Sequence, residues 1–333
     1  CPTMHQNNCM AITIPTERAQ NGTRPINLNR DVPQVLYLLE NVFGESLASG
    51  GRRLFTSAKP ETQSALLWRL NPAVSRLAPG FVWEENGRIV GNVTLLSTRI
   101  PGRFLVANVA VAPEHRRRGI SRALMHSVME LVRKRRGHAI LLQVVKDNTP
   151  ALNLYDTLDF RRLGSMTTWA TSTSRVRDLD PGVQMNIRPL QQNEWHEAYR
   201  LDREALPADL NWPEPIRQEA YKTGWWQSLQ NFFNGKQQET WTTRDGQGQL
   251  TGLVTITSEW GRPHIISLRV RPAWRGQVER PLLAKAIRRT RYLARRNLRI
   301  DHPDSDEHVN TLLNAASFRI QRTLTHMRLD FDL

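Results

Sequence analysis

Val109-Ala-Val-Ala-Pro-Glu-His-Arg-Arg-Arg-Gly-Ile-Ser-Arg-Ala-Leu124 is the stretch whose reading decides the fold. It reads as a β-strand ending at Pro113, a short basic loop, and the first turn of a helix. Apolar residues then recur at Ile120, Leu124, Val128 and Leu131, one face at helical spacing. A strand feeding a helix through a glycine-bearing loop presents a cluster of backbone N–H groups to a phosphate. Gly119 lets the backbone approach an anion with no Cβ in the way. Ser121 is small enough to keep the loop close, and Arg116, Arg117 and Arg118 add positive charge. The stretch lacks the Gly-Lys-Ser/Thr ending of a Walker loop and the three glycines of a dinucleotide fingerprint.

Arg116-Arg117-Arg118-Gly119-Ile120-Ser121 resembles the pyrophosphate loop of the GNAT acyltransferase superfamily, Gln/Arg-x-x-Gly-x-Gly/Ala, with Ser where Gly or Ala is usual. About 30 residues on, Asn148-x-x-Ala151-x-x-Leu154-Tyr155-x-x-x-Asp159-Phe160 is similar to that superfamily's second signature, with Asp159 replacing the usual Gly before Phe. The motifs stand in the right order, separated by a helix and a strand. The resemblance implies an α/β (α+β) fold, a mixed central sheet flanked by helices, with acetyl-coenzyme A as co-substrate. The backbone of Val109, Ala110 and Val111 would pair with the pantetheine amides. The loop N–H groups of Arg117, Arg118, Gly119, Ile120, Ser121 and Arg122, with Arg116 beside them, would hold the diphosphate. Tyr155 would protonate the leaving thiolate, although it also fits as one more aromatic on the apolar face of its helix. Asn148 would bond the cofactor, and its position equally fits a helix N-cap.

The surrounding composition suits this reading. A chain of 333 residues can hold two domains of ordinary size. The net charge of +15 and the pI near 10.8 suit an anionic cofactor, an acidic substrate or nucleic acid. The excess is densest around the phosphate loop and the helix behind it, although the run at residues 133–136 reads as a solvated helix end with Gly137 as its stop. Cys1 and Cys9 are the only cysteines, so no disulfide framework or thiolate metal site is available. The histidines show no metal spacing: His115 sits in the basic loop, His126 on a helix surface, His138 at a strand start. The longest apolar stretch, near residues 139–142, is far too short to span a bilayer, and no signal-peptide pattern is seen near residue 1. A reducing cytoplasm and no membrane partner are the expectation.

The chain repeats itself with a period of about 160 residues. Arg24-Pro-Ile-Asn-Leu and the helix at residues 31–43 return as Ile187-Arg-Pro-Leu190 and a helix near 193–206. The hairpin around Asn86-Gly87 returns at residues 239–256, Val111-Ala-Pro113 as Val270-Arg-Pro272, and Asp159-Phe160 as Ser317-Phe318. Two tandem units follow: a tail at 1–23, a cofactor-binding and catalytic unit at 24–175, a linker at 176–182, and a second unit at 183–333. The second is degenerate. Val278 stands where Gly119 is, Arg280 where Ser121 is, Leu313 where Tyr155 is, and Asp306 where Asn148 is.

The expected function is an acetyl-coenzyme A-dependent N-acetyltransferase acting by direct attack of a primary amine, on a small molecule or a peptide, on the thioester. Many relatives place an acidic base on the strand before the loop, where Ala107 and Asn108 stand here. Glu84 and Glu85, on the preceding hairpin, are the nearest candidates by sequence, and a water chain or an amine that arrives neutral would also serve. The missing base keeps a second reading open, a non-catalytic coenzyme A-binding or sensing module. Nucleic-acid binding is disfavoured, because charge is its only support. Seven of the ten tryptophans lie beyond residue 180, and residues 210–233 read as core, domain interface or the wall of a substrate cleft. Neither the acceptor amine nor the oligomeric state can be read from the sequence.

Overall fold

The computed structural model describes residues 21–49, 77–213, 215–221 and 236–332. The first half runs β1 (Gly22–Pro25), α1 (Val32–Ser49), β2 (Leu77–Glu85), β3 (Arg88–Ser97), β4 (Arg103–Val111), α2 (Ile120–Lys134), β5 (Ala139–Val145), α3 (Thr149–Asp156) and β6 (Arg161–Ser172). The second half repeats this as β7 (Arg188–Pro189), α4 (Trp195–Ala205), β8 (Lys236–Arg244), β9 (Leu250–Glu259), β10 (His264–Val270), α5 (Glu279–Thr290), β11 (Asn297–Pro303), α6 (Glu307–Ala315) and β12 (Arg319–Asp330). Asn86 and Gly87 both adopt positive φ, 52° and 78°, the primed turn that matches the twist of the β2–β3 hairpin. Residues 176–182 carry no helix or strand. No helix among the described residues is long and apolar enough to cross a membrane.

The twelve strands of the described residues form one mixed sheet, in the order β1-β2-β3-β4-β5-β12-β6-β11-β10-β9-β8-β7. The halves exchange their last strands. The first half's β6 pairs with β11 of the second, and the second half's β12 pairs with β5 of the first. The two exchanged strands pair antiparallel at the centre, where Ser165 and Thr325, then Thr167 and Thr323, join hydroxyls at 3.0 and 2.9 Å. Asp209 of the second half adds a further tie, accepting from Arg103 of the first at 2.8 Å and from Arg328 on β12 at 2.5 Å.

Each half keeps its own core. Ile120, Leu124, Met125, Val128 and Val132 of α2 pack on Val93, Leu95, Val106, Ile140 and Leu142 of the sheet. The second core sets Leu282, Leu283, Ala286 and Ile287 of α5 against Val254, Ile256, Leu268, Leu298 and Ile300. The repeat extends to one tight contact. A Cβ on Gly91 would meet Ile120 at 2.9 Å, and one on Gly252 would meet Leu282 at 2.8 Å, so in both halves glycine lets the central helix lie against the sheet. The basic run at 133–136 is exposed, as expected of a helix end. The left-handed residue there is Arg136 (φ 51°) and not Gly137, whose added Cβ would strike Val132 and Phe104.

Candidate functional site

Two local departures from regular sheet create a groove in the first half. The parallel ladder between β4 and β5 ends at Val106–Leu142, although β4 runs on to Val111 and β5 to Val145. Val109, Ala110 and Val111 therefore lie where the two strands have parted. Opposite β3, a bulge sets Asn108 and Val109 against Val93, and Asn108 takes φ 53°. Asn92 braces this bulge by donating its Nδ2 to the Asn108 carbonyl at 2.9 Å. Its side chain is buried, with Oδ1 lacking a hydrogen-bond partner. Sequence reasoning missed Asn92; its signal was one amide in the otherwise apolar and small-residue run of β3.

The phosphate loop follows as a single 3-10 turn at Pro113–His115, then Arg116 in extended conformation, Arg117 at φ 64° and Gly119 at φ 78° as the N-cap of α2. Among the described residues, the N–H groups of residues 117–122 meet no acceptor. Six successive donors at a helix N-terminus, with the positive end of its dipole behind them, form an anion cradle. Arg116 donates to the Val111 carbonyl at 3.2 Å and ties the loop to the end of β4. Arg122 reaches Thr157 at 2.9 Å and ties α2 to the end of α3.

Tyr155 lies on α3 and is 6 % exposed, its ring 5.8 Å from Phe160. Burial pushes its phenol above the ordinary tyrosine range, so the proton stays on Oη at neutral pH. Asn148 caps α3, accepting the Ala151 N–H at 3.2 Å. Asp159 sits at φ 63°, which accounts for a position where Gly is usual: aspartate tolerates left-handed backbone better than most residues.

Glu84 and Glu85, the two base candidates, are both paired with arginines. Glu84 accepts from Arg24 at 2.6 Å and Arg30 at 3.0 Å, and so binds the start of α1 to the sheet. Glu85 is held by both terminal nitrogens of Arg118 at 2.9 and 3.1 Å, with His115 at 3.6 Å. Those contacts hold its carboxyl below the usual range and tie the end of β2 to the loop. The tryptophans also divide. Trp241 is buried and Trp212 packs edge-on to His326 at 5.6 Å, but Trp260 is 83 % exposed and belongs to no core. Trp225 and Trp226 lie outside the described residues. Among the described residues, no group of His, Cys, Asp and Glu could hold a metal ion.

In the second half β10 and β11 also part beyond Ile266–Ile300, but the bulge and the left-handed turn at the helix start are missing. The β9–β10 ladder runs from Ile265 to Val270 without a bulge, and Val278 takes φ −110° where Gly119 takes 78°.

Residues 51–160 match the acetyltransferase (GNAT) family. A stretch of 83 residues is 41 % identical to the peptidyl-lysine N-acetyltransferase YiaC of Escherichia coli (strain K12), covering 25 % of this chain and 50 % of that protein. The match thus spans about half the length of that relative. Among solved structures, an N-acetyltransferase from Sphaerobacter thermophilus is similar in fold (TM-score 0.56, 16 % identity, 93 % of this chain and 97 % of that one). A glucosamine N-acetyltransferase region of a fungal multi-domain β-N-acetylglucosaminidase is similar as well (TM-score 0.59, 13 % identity, 93 % and 38 %). The bulged, parted strands and the donor-rich loop agree with these likenesses: residues 51–160 carry a GNAT-family domain, and the second half repeats the order of its elements.

Proposed function

We propose that the first half, within residues 24–175, is an acetyl-coenzyme A-dependent N-acetyltransferase that acts on a primary amine of a small molecule or peptide. The observation that carries this reading is the run of unanswered N–H groups at residues 117–122, set directly beside the opening between β4 and β5. The residues present fit the co-substrate. The cradle takes a diphosphate, and the unpaired edge of Val109, Ala110 and Val111 takes the amides of an extended arm. When bound, acetyl-coenzyme A supplies the acyl thioester.

The chain's own groups then do three things. The α2 N-terminus, with Arg116 and Arg117, neutralises the diphosphate and fixes the donor along the groove. The bulge braced by Asn92 presents backbone to the reacting carbonyl, where a preorganised donor stabilises developing negative charge. Tyr155 donates its Oη hydrogen bond to the departing sulfur. A phenol raised by burial holds its proton against full transfer, so it stabilises the thiolate chiefly by that bond. The acceptor loses its proton to water, because both nearby glutamates are engaged by arginines.

Acetyl-coenzyme A is expected to raise the melting temperature of the intact chain, and amine addition to release free thiol. Gly119→Val is expected to reduce the shift markedly. An added Cβ there would meet nothing within 4 Å, so the penalty is torsional. A branched residue held at φ 78° costs on the order of 1–3 kcal/mol, enough to weaken binding roughly tenfold or more. An undiminished shift in that variant would remove the loop from the proposal. Stabilisation without thiol release across a broad amine panel would favour a sensing module.

A further inference from the structure

After Glu279, residues 280–300 carry eight cations, seven of them arginine, and no acid. They run along α5 and the turn into β11, where Lys285, Arg288, Arg291, Tyr292 and Arg295 are exposed. Carboxylates answer three of the arginines: Glu239 meets Arg289 at 2.7 Å, Asp178 meets Arg291 at 2.6 Å, and Asp301 meets Arg299 at 2.7 Å. Lys285, Arg288 and Arg295 pair with no carboxylate among the described residues; Lys285 lies 6.0 Å from the Trp241 ring instead.

Unanswered charge is common on solvated faces, but here two aromatic rings stand beside it. Trp260, in the turn between β9 and β10, is 83 % exposed, and Tyr292, just after α5, is 77 % exposed. The two turns are bonded to each other. Arg296 donates to the Glu259 carbonyl at 2.6 Å, and His264 donates through Nε2 to the Ala294 carbonyl at 2.8 Å. Folding therefore brings both rings to the end of the molecule that carries the unanswered cations. Glu259, the acid of the first turn, is held by Arg262 at 3.2 Å.

The chemistry of this end selects among anionic partners. Neither turn exposes a large aliphatic side chain, so there is no continuous apolar face with which to enter a bilayer. Arginine, far in excess of lysine here, grips phosphate oxygens with parallel N–H groups. Flat rings beside phosphate-binding cations are what a strand with unpaired bases requires, because every base offers a face to stack. We propose that this end of the second half binds single-stranded nucleic acid without sequence preference, its phosphates on Lys285, Arg288 and Arg295 and its bases on Trp260 and Tyr292. The site is separate from the first half's groove and does not depend on the acyl-transfer reading.

The test is fluorescence anisotropy of the full chain with a labelled oligouridine of about twelve nucleotides, its deoxythymidine equivalent, and a DNA duplex of the same length. Both single strands are expected to bind, and the duplex at least tenfold more weakly, although its charge is denser. With three phosphates neutralised, single-strand affinity is expected to fall roughly 20-fold between 50 and 200 mM salt. Trp260→Ala is expected to weaken the single strands roughly five- to hundredfold with that salt dependence unchanged. Arg288→Gln combined with Arg295→Gln is expected to flatten the salt dependence to roughly threefold. All three side chains are exposed, so the variants keep the fold. Saturating acetyl-coenzyme A, which would fill the first half's cradle, is expected to leave the strand bound. No binding of either strand at low salt, a duplex held as tightly as a single strand, wild-type affinity in Trp260→Ala, or displacement by acetyl-coenzyme A would overturn the proposal. Retention on phosphatidylserine vesicles without binding of either strand would assign this end to a membrane surface and overturn it as well.

Discussion

Tyr155→Phe is expected to lower turnover by about 10²–10⁴-fold while leaving the affinity for acetyl-coenzyme A unchanged. The substitution removes one oxygen and keeps the ring, so the packing against Phe160 and the apolar neighbours of α3 survives. Stability should therefore change little, and a rate effect can be read as chemistry. The phenol has no charged group acting on it; burial alone raises it, which keeps the hydrogen on Oη throughout the neutral range. Initial rates of thiol release set beside calorimetric binding separate the two quantities. If the variant turns over at the wild-type rate, Tyr155 is a core aromatic and the departing sulfur finds its donor elsewhere.

Arg269→Met is expected to destabilise the protein by about 3–5 kcal/mol, the usual consequence of leaving a buried carboxylate without its cation. Asp202 is 1 % exposed, and Arg269, at 8 %, reaches it at 2.5 Å while also donating to Asn211 at 3.1 Å and the Leu268 carbonyl at 2.9 Å. Burial raises the Asp202 carboxyl even with the guanidinium in contact, so desolvation already exceeds what the arginine returns. The double variant Asp202→Leu with Arg269→Met should recover most of the loss, because no isolated charge then remains. Denaturant midpoints for the three proteins decide it. A single variant as stable as wild type would mean that water reaches Asp202.

Local chemistry was legible in the sequence where backbone demands a residue type. The Asn86-Gly87 turn, the strand Ala139–Val145, the buried stripe of α2 and the glycine-bearing loop all lie where pattern and spacing place them. The degenerate second loop was legible for the same reason: Val278 cannot adopt the conformation of Gly119. Partnership was not legible. Nothing in the alternation of β6 or β12 says that each pairs outside its own half, because periodicity reports which face is buried and not the neighbouring edge. The glutamates illustrate the same limit. Their position on the hairpin is visible in the sequence, but the arginines that hold them come from residues 24, 30 and 118, and only folding brings these together.

Because each half lends the other an interior strand, neither possesses a complete set of backbone partners. Severed between residues 175 and 183, each fragment would expose an unpaired ladder at the edge its neighbour had covered, a template for aggregation. The intact chain should accordingly melt as one cooperative body, and scanning calorimetry is expected to trace a single endotherm; two resolved peaks would contradict this. An acyl donor lodged near Gly119 would then protect Glu279 and its surroundings from unfolding without touching them. Loss of heat resistance in either copy becomes a liability of both.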